Sequence, residues 1–297
     1  MKILVNDNIS DKGIDILQEK GYDLTQHHYD KDELMELLPD YDAIIVRSAT
    51  KVRKDLIDAS NLKVIARAGT GIDNIDHEYA RSQGLDVLNT PGANSASVSE
   101  LVFAHMFALA RYIPQANMTM REGEWNKKQY RGIELSGKTL GIMGFGKIGE
   151  ITAKMALGFC MKVIAYDIAE IDTDLDVEFK SKEEVLKESD FVTLHVPSMK
   201  EPFITIADMK MMKDSAYLIN CARGGVVDED DLLTALDQGE IAGAGVDVYV
   251  EEPTDNHKLV NHERISVTPH IGAATYEAQD RVGIQIAEKL IDALENK

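Results

Sequence analysis

The chain has 297 residues, enough for two α/β domains with cores of their own, and its 44% hydrophobic content excludes a disordered polymer. Its 51 acidic and 32 basic residues give a formal charge of -19, which argues against nucleic acid or an anionic membrane as partner. An anionic small molecule would need a local cluster of arginines to overcome that field. The two cysteines, Cys160 and Cys221, have neither metal nor disulfide spacing and suit a reducing compartment. The opening "MKILVND" reads as a strand rather than a signal pattern. The apolar run from Leu101 to Ala110 is broken by His105 and too short for a bilayer. The expectation is a soluble cytoplasmic protein with no metal and no nucleic-acid or membrane partner.

Strand-like and helix-like runs then alternate along the chain. Ile3 to Val5 reads as a strand and Asp11 to Lys20 as a helix closed by Gly21. Ala43 to Val46, Val64 to Ala66 and Val87 to Leu88 read as further strands. The "NTPGANSASVSE" segment carries turn residues, then Ser97 and Glu100 at capping-box spacing. These predict a helix from about Val98 to Tyr112, ending before Pro114. A second series follows, with strands at Thr139 to Met143, Val163 to Tyr166, Phe191 to Leu194, Tyr217 to Asn220, Gly243 to Val246 and Ile265 to Val267. A final helix is expected over Thr275 to Leu294. This rhythm predicts an α/β fold of two Rossmann-like, doubly wound parallel-sheet domains, one inserted into the other. The inserted, nucleotide-binding domain is expected over residues 95–273, and the substrate-binding domain over 1–94 and 274–297.

"GIMGFGKIG", Gly141 to Gly149, places Gly144, Gly146 and Gly149 in a G-x-G-x-x-G pattern after an apolar strand and at the start of a helix. The first glycine allows a tight turn, the second lets a pyrophosphate approach the backbone, and the third lets helix pack on strand. The helix N-terminus adds N–H donors and partial positive charge. Asp167, at the end of the next strand, can accept the adenosine ribose hydroxyls and would repel a 2′-phosphate. No Lys or Arg follows it in "DIAEID", so the spacing favours NAD over NADP.

Three polar residues follow predicted strands in the C-terminal half: Arg223 in "NCARGG", Glu252 in "DVYVEEP" after a strand expected to end near Val248, and His270 in "TPHIGAAT". Ligands bind outside the carboxyl ends of such strands. Hydride transfer to or from an alcohol carbon needs a proton partner, and histidine titrates in the right range. Glu252 would hold and tune His270, with Glu251 as an alternative tuner. Arg223 can grip a carboxylate through two parallel hydrogen bonds.

"GIMGFGKIG", "NCARGGVVDEDDLLTAL", "GAGVDVYVEEP" and "TPHIGAAT", in this order over essentially the whole chain, resemble the D-isomer-specific 2-hydroxyacid dehydrogenase family. The resemblance implies that Arg223, Glu252 and His270 carry the family's Arg–Glu–His roles. It also implies cofactor contacts from Thr70, Gly144, Gly146, Lys147, Ile148, Gly149, Asp167, Val196, Pro197, Cys221, Ala222, Arg223, Asp247, His270 and Gly272.

"VRSATKV", "ARAGTGIDNID" and "REGEWNKKQYRGIELSGKTLG" look most like the phosphoglycerate dehydrogenase branch. That likeness implies substrate contacts from Arg47, Arg67, Gly69, Thr70 and Gly71, beside Arg223 and His270. The implied reaction is oxidation of D-3-phosphoglycerate to 3-phosphohydroxypyruvate. The alternatives are a reductase of glyoxylate, hydroxypyruvate or another small 2-oxo acid and, in a different class, an NAD-sensing binding protein. The branch also implies a homodimer through the Ser95 to Leu140 segment, with Trp125 against the neighbouring subunit. Ile168 stands where the family often has proline, and "VPSMKEPFITIADMKMMK" departs from the usual loop after Pro197. Cys221 is expected to be a small buried residue rather than a nucleophile.

Overall fold

The computed structural model describes residues 1–296. The chain divides into two compact units: Met1–Asn94 with the chain from Ala273 onward, and Ser95–Gly272.

The first unit runs β1 (Lys2–Val5), α1 (Asp11–Glu19), β2 (Asp23–Gln26), α2 (Lys31–Leu37), β3 (Ala43–Val46), α3 (Lys54–Asp58), β4 (Val64–Arg67), α4 (His77–Ser82) and β5 (Asp86–Asn89). The second runs α5 (Ser95–Arg111), α6 (Ile113–Arg121), β6 (Thr139–Met143), α7 (Lys147–Gly158), β7 (Lys162–Tyr166), β8 (Glu178–Phe179), α8 (Lys182–Glu188) and β9 (Phe191–Leu194). It continues through α9 (Ile206–Met209), β10 (Tyr217–Asn220), α10 (Glu229–Gln238), β11 (Gly243–Val246), α11 (His257–Val260) and β12 (Ile265–Val267). The last helix, α12 (Tyr276–Glu295), belongs to the first unit.

In the first unit the strands pair in parallel in the order β2-β1-β3-β4-β5. Strand side chains alternate between faces, and the apolar runs supply both. Ile3, Val5, Ala43, Ile45, Val64 and Ala66 enter the core that α12 covers with Val282, Ile286 and Leu290. Leu4, Ile44, Val46 and Ile65 enter the opposite core with Leu34 and Leu56. Helices α1 and α12 approach so closely that a Cβ on Gly13 would sit 2.6 Å from the Gly283 carbonyl oxygen. Thr275 caps α12, its hydroxyl accepting from the Ala278 N–H at 3.1 Å.

In the second unit seven parallel strands lie in the order β12-β11-β10-β9-β6-β7-β8. The chain moves outward from β6 through β7 to β8, then returns to the other side of β6 at β9. The switch point therefore lies between β6 and β9, where a doubly wound sheet holds its ligand. Leu140 and Ile142 join the core under α5 and α7, whereas Met143 faces the core with α8, α9 and α10.

The helix after the turn-rich segment starts at Ser95, not Val98. Ser97 is buried within its first turn and so does not form the expected capping box with Glu100. The Ser99 hydroxyl donates to the Ser95 carbonyl at 3.0 Å, a bond possible only inside the helix. The helix ends at Arg111, and Tyr112 adopts a left-handed backbone with φ 54°. Pro114 does not simply stop the chain. It sits in the first turn of α6, where its missing N–H costs nothing.

Candidate active site

The three glycines after β6 are required for three different reasons. Gly144 has φ +92°, and a Cβ there would lie 2.7 Å from the His195 carbonyl oxygen. Gly149 lies against the Gly144 carbonyl, which a Cβ would meet at 2.4 Å. Gly146, by contrast, has nothing within 4 Å of a Cβ position. Its missing side chain leaves open space beside the backbone of the turn. Gly146 is also the N-cap of α7 and offers no side chain to its orphan N–H groups. A pyrophosphate fits that arrangement.

Phe145 in this turn donates its N–H to Asp167 Oδ2 at 2.7 Å, and Ala169 donates to Oδ1 at 2.9 Å. Asp167 thus ties the glycine turn to the end of β7. Each oxygen keeps a second lone pair that a ribose hydroxyl could use. Lys147 is exposed and pairs with Glu150 at 3.5 Å. The Ile148 carbonyl accepts from the Thr152 hydroxyl at 2.8 Å. Val196 is half-buried and Pro197 exposed, just beyond the end of β9.

Arg223, Glu252 and His270 follow β10, β11 and β12, three adjacent parallel strands whose carboxyl ends share one edge with the glycine turn. β11 is Gly243–Val246, as its strand reading expects, and stops short of Val248, so Glu252 stands on a loop six residues beyond the strand end. That loop brings it back: Glu252 Oε2 accepts from His270 Nδ1 at 2.7 Å, and Oε1 accepts from the Tyr249 N–H at 3.2 Å. A Cβ on Gly224 would meet the Tyr249 carbonyl oxygen at 1.7 Å, so the Arg223 loop lies directly on the same segment. Asn220 fixes this loop, its side chain donating to the Arg223 carbonyl and accepting from the Ala222 N–H. Arg223 Nη1 donates to the Ala222 carbonyl at 2.7 Å.

A carboxylate only accepts, so Nδ1 of His270 carries the proton in the Glu252 bond. Nε2 of the neutral ring is left with a lone pair. The pair is more than a third exposed, so its value lies in orientation rather than in stability.

His270 has φ 54°, a left-handed backbone that costs a non-glycine residue about 1–2 kcal/mol. Asp247, 1% exposed, offsets this. Its carbonyl accepts the His270 N–H at 2.8 Å, Oδ1 accepts from Ile271 at 2.8 Å, and Oδ2 accepts from Gly272 at 2.9 Å. The resemblance implied a cofactor contact for Asp247, yet its carboxylate is already engaged in shaping the His270 loop. Tyr249 braces the same loop, donating its hydroxyl to the Thr268 carbonyl at 3.0 Å. Burial and the carboxylates of Asp247, Glu229 and Glu252 push this phenol up to about 12, keeping it a donor. Cys221 is buried, and burial pushes its thiol well up, which fits a packing residue.

The first unit presents its own polar cluster. Its switch point falls between β1 and β3, and Arg47 is the first residue after β3. Asp7, 7% exposed, accepts the Arg47 and Thr50 N–H groups at 2.6 and 3.1 Å. Asn74 donates to the Arg47 and Thr50 carbonyls. Arg67 ends β4 and folds back over the next turn: a Cβ on Gly69 would lie 1.4 Å from Arg67 Nη1. The turn of Gly69, Thr70 and Gly71 is held by Asn89 to the Thr70 carbonyl at 2.6 Å and by Thr70 to Asn94 at 2.8 Å. The sequence pattern gave no notice of Asp7, Asn74, Tyr249, Asn220 or Thr268 as supports. The only available signal was their position, at or one to three residues beyond a strand end or inside a quoted motif.

Residues 103–272 match the family model described as the NAD binding domain of D-isomer specific 2-hydroxyacid dehydrogenases. The hydroxypyruvate reductase of Thermotoga maritima is 47% identical over 300 residues, covering 99% of this chain and 98% of that protein. The D-3-phosphoglycerate dehydrogenase of Methanocaldococcus jannaschii is 43% identical over 297 residues, covering 98% of this chain but 57% of that protein. The chain therefore spans little more than half the length of that relative. Among solved structures, the TT0316 protein of Thermus thermophilus superposes with a TM-score of 0.92 at 34% identity, covering 100% of this chain and 98% of the other. On these likenesses and the glycine turn described above, the chain belongs to the D-isomer-specific 2-hydroxyacid dehydrogenase family and carries its NAD-binding domain.

Proposed function

We propose that the protein interconverts a D-2-hydroxy acid and its 2-oxo acid with NAD, and that it oxidises D-3-phosphoglycerate to 3-phosphohydroxypyruvate, the first step of phosphorylated serine biosynthesis. The observation that carries the reaction class is the 2.7 Å Glu252–His270 pair beside the Arg223 loop. Bound NAD supplies the hydride acceptor. His270 Nε2 removes the proton of the C2 hydroxyl and returns it in the reverse direction. Glu252 keeps the ring in the required tautomer and orientation. Arg223 binds the carboxylate and polarises the C2 oxygen. Thr70, Lys147, Ile148, Val196, Pro197, Cys221, Ala222, Asp247 and Gly272 keep the cofactor contacts implied by the family.

The substrate assignment rests on Arg47 and Arg67. In a chain of charge -19, two arginines at the carboxyl edge of the first unit's sheet, Arg47 with its backbone N–H held by Asp7 and Arg67 folded over the Gly69 turn, supply local attraction for an added phosphate. A second reading, hydroxypyruvate reductase, is favoured by the 47% identity over nearly the full length of the Thermotoga maritima protein. The test is NADH formation from D-3-phosphoglycerate and NADH consumption with 3-phosphohydroxypyruvate, hydroxypyruvate and glyoxylate. His270→Asn should lower kcat by about 10²–10⁴-fold while NADH still binds. Undiminished turnover in that variant overturns the proton-transfer role. Higher kcat/KM for hydroxypyruvate than for its phosphate ester overturns the phosphorylated substrate.

A further inference from the structure

We propose that His105, in the middle of α5, is a positioning residue for His270, acting through the Thr268 hydroxyl and the Asp247 carboxylate. The proposal rests on the reading of His270 as the proton-transfer group.

His105 is 2% exposed and makes two side-chain bonds: Nδ1 to Ser266 Oγ at 2.9 Å and Nε2 to Thr268 Oγ1 at 3.0 Å. Thr268 Oγ1 also lies 2.6 Å from Asp247 Oδ1. The directions of these bonds follow from chemistry. A carboxylate only accepts, so the Thr268 hydroxyl gives its single proton to Asp247. Thr268 can then only accept from His105, which fixes the ring as the Nε2–H tautomer. Nδ1 is left to accept, and Ser266 must donate to it. Burial lowers the His105 pKa, so the ring stays neutral and this pattern is not disturbed by a second proton.

The relay ends on the catalytic loop. The Asp247 oxygen that accepts from Thr268 also accepts the Ile271 N–H, its partner oxygen accepts the Gly272 N–H, and the Asp247 carbonyl accepts the His270 N–H. These bonds hold the left-handed turn at His270 and so aim its ring at Glu252. The sheet makes room for the relay. Gly245 of β11 lies under the ring, and a Cβ there would sit 2.8 Å from His105 Cβ. An apolar side chain on α5 would fill the same space without fixing the Thr268 hydroxyl.

The experiment compares His105→Leu, His105→Gln, His105→Asn, Thr268→Val and His270→Asn in the full chain. Hydroxypyruvate and 3-phosphohydroxypyruvate serve as probes with NADH, at a temperature well below each variant's unfolding midpoint. The Gln amide nitrogen reaches the place of imidazole Nε2, and the Asn amide nitrogen reaches that of Nδ1. His105→Leu and Thr268→Val should each lower kcat about tenfold, the scale of a small misplacement of a reacting group, with KM changed less than about twofold. His105→Gln should recover kcat to within about threefold of the parent, and His105→Asn should remain as low as His105→Leu. Equal losses in the Gln and Asn variants would reduce His105 to a packing residue and overturn the proposal. So would parental kcat in His105→Leu and Thr268→Val while His270→Asn is inactive. An active His270→Asn would instead overturn the proton-transfer reading itself, so the two failures are distinguishable.

Discussion

Alanine substitution at each of the three glycines after β6 separates folding from cofactor binding. Gly144→Ala must hold a φ of +92°, which costs about 1–2 kcal/mol for an L side chain, and must push its methyl against the His195 carbonyl 2.7 Å away, about 1–3 kcal/mol more. The sum is a loss of about 2–5 kcal/mol in the second unit. Gly149→Ala meets the Gly144 carbonyl at 2.4 Å, but alanine's helix propensity returns about 1 kcal/mol, so its loss is smaller. Gly146→Ala meets nothing within 4 Å. The chain-entropy gain of about 0.4–1 kcal/mol and the poorer N-cap oppose each other, leaving stability within about 1 kcal/mol of the parent. On the proposed cofactor reading, however, its methyl would enter the space left for the pyrophosphate. Losing one charge-assisted hydrogen bond of about 1.5–3 kcal/mol weakens NADH about tenfold or more. Urea denaturation and NADH fluorescence titration measure the two effects separately. A Gly146→Ala protein that is stable and binds NADH within about twofold of the parent would refute the assignment of this turn to the cofactor.

Three further expectations concern stability and assembly. Burial pushes His195 down from 6.5 to about 3, so between pH 7.5 and 5.5 the unfolded chain gains a proton that the folded chain does not. Stability is therefore full above pH 6.5 and falls by about 1.4 kcal/mol at pH 5.5; a His195→Gln variant with an undiminished change in urea midpoint between the two pH values would disprove this. Gly13→Ala should destabilise the first unit by about 1–3 kcal/mol because its methyl meets Gly283 of α12, and calorimetry showing no shift would contradict that contact. Ile113, Met118, Met120 and Trp125 are exposed by 50%, 63%, 52% and 78%, a concentration of apolar surface in the segment expected to form a dimer. Sedimentation should find a dimer that Trp125→Asp weakens, and a monomer at micromolar concentration would reject the assembly.

The strands with continuous apolar runs were legible because burial on both faces leaves no other reading: "AIIV" at β3 and "FVTL" at β9 are buried throughout. Two of the four edge strands, β2 and β8, were not. β2, "DLTQ", has no buried residue, and β8 is two exposed residues held by backbone pairing, which leaves no trace in side-chain pattern. Helix α2 buries only Leu34. The glycine turn and the Arg223, Glu252 and His270 motifs could be read because their chemistry is concentrated in short segments. The support for His270 could not. His105 reaches Ser266 and Thr268 across 161 and 163 residues of sequence, and only the packing of α5 over β11 and β12 brings them together. The helix start was misjudged for a related reason: Ser97 looked like a cap, but Ser95, Ser97 and Ser99 are all buried in the helix.

The discontinuity of the first unit has a consequence for synthesis on the ribosome. Val282, Ile286, Ala287, Leu290 and Leu294, which help cover one face of the five-stranded sheet, are translated after the whole of the seven-stranded sheet. Until then Ile3, Val5, Ile45 and Val64 are covered on that side by Ile14 and Leu17 of α1 but not by α12, whereas every element of the seven-stranded sheet has already emerged. The nascent chain is thus an assembled nucleotide-binding fold trailing an unsealed sheet of apolar strands, the kind of species that chaperones hold and that aggregates when they are absent. Truncation before Tyr276 would freeze the molecule in that state.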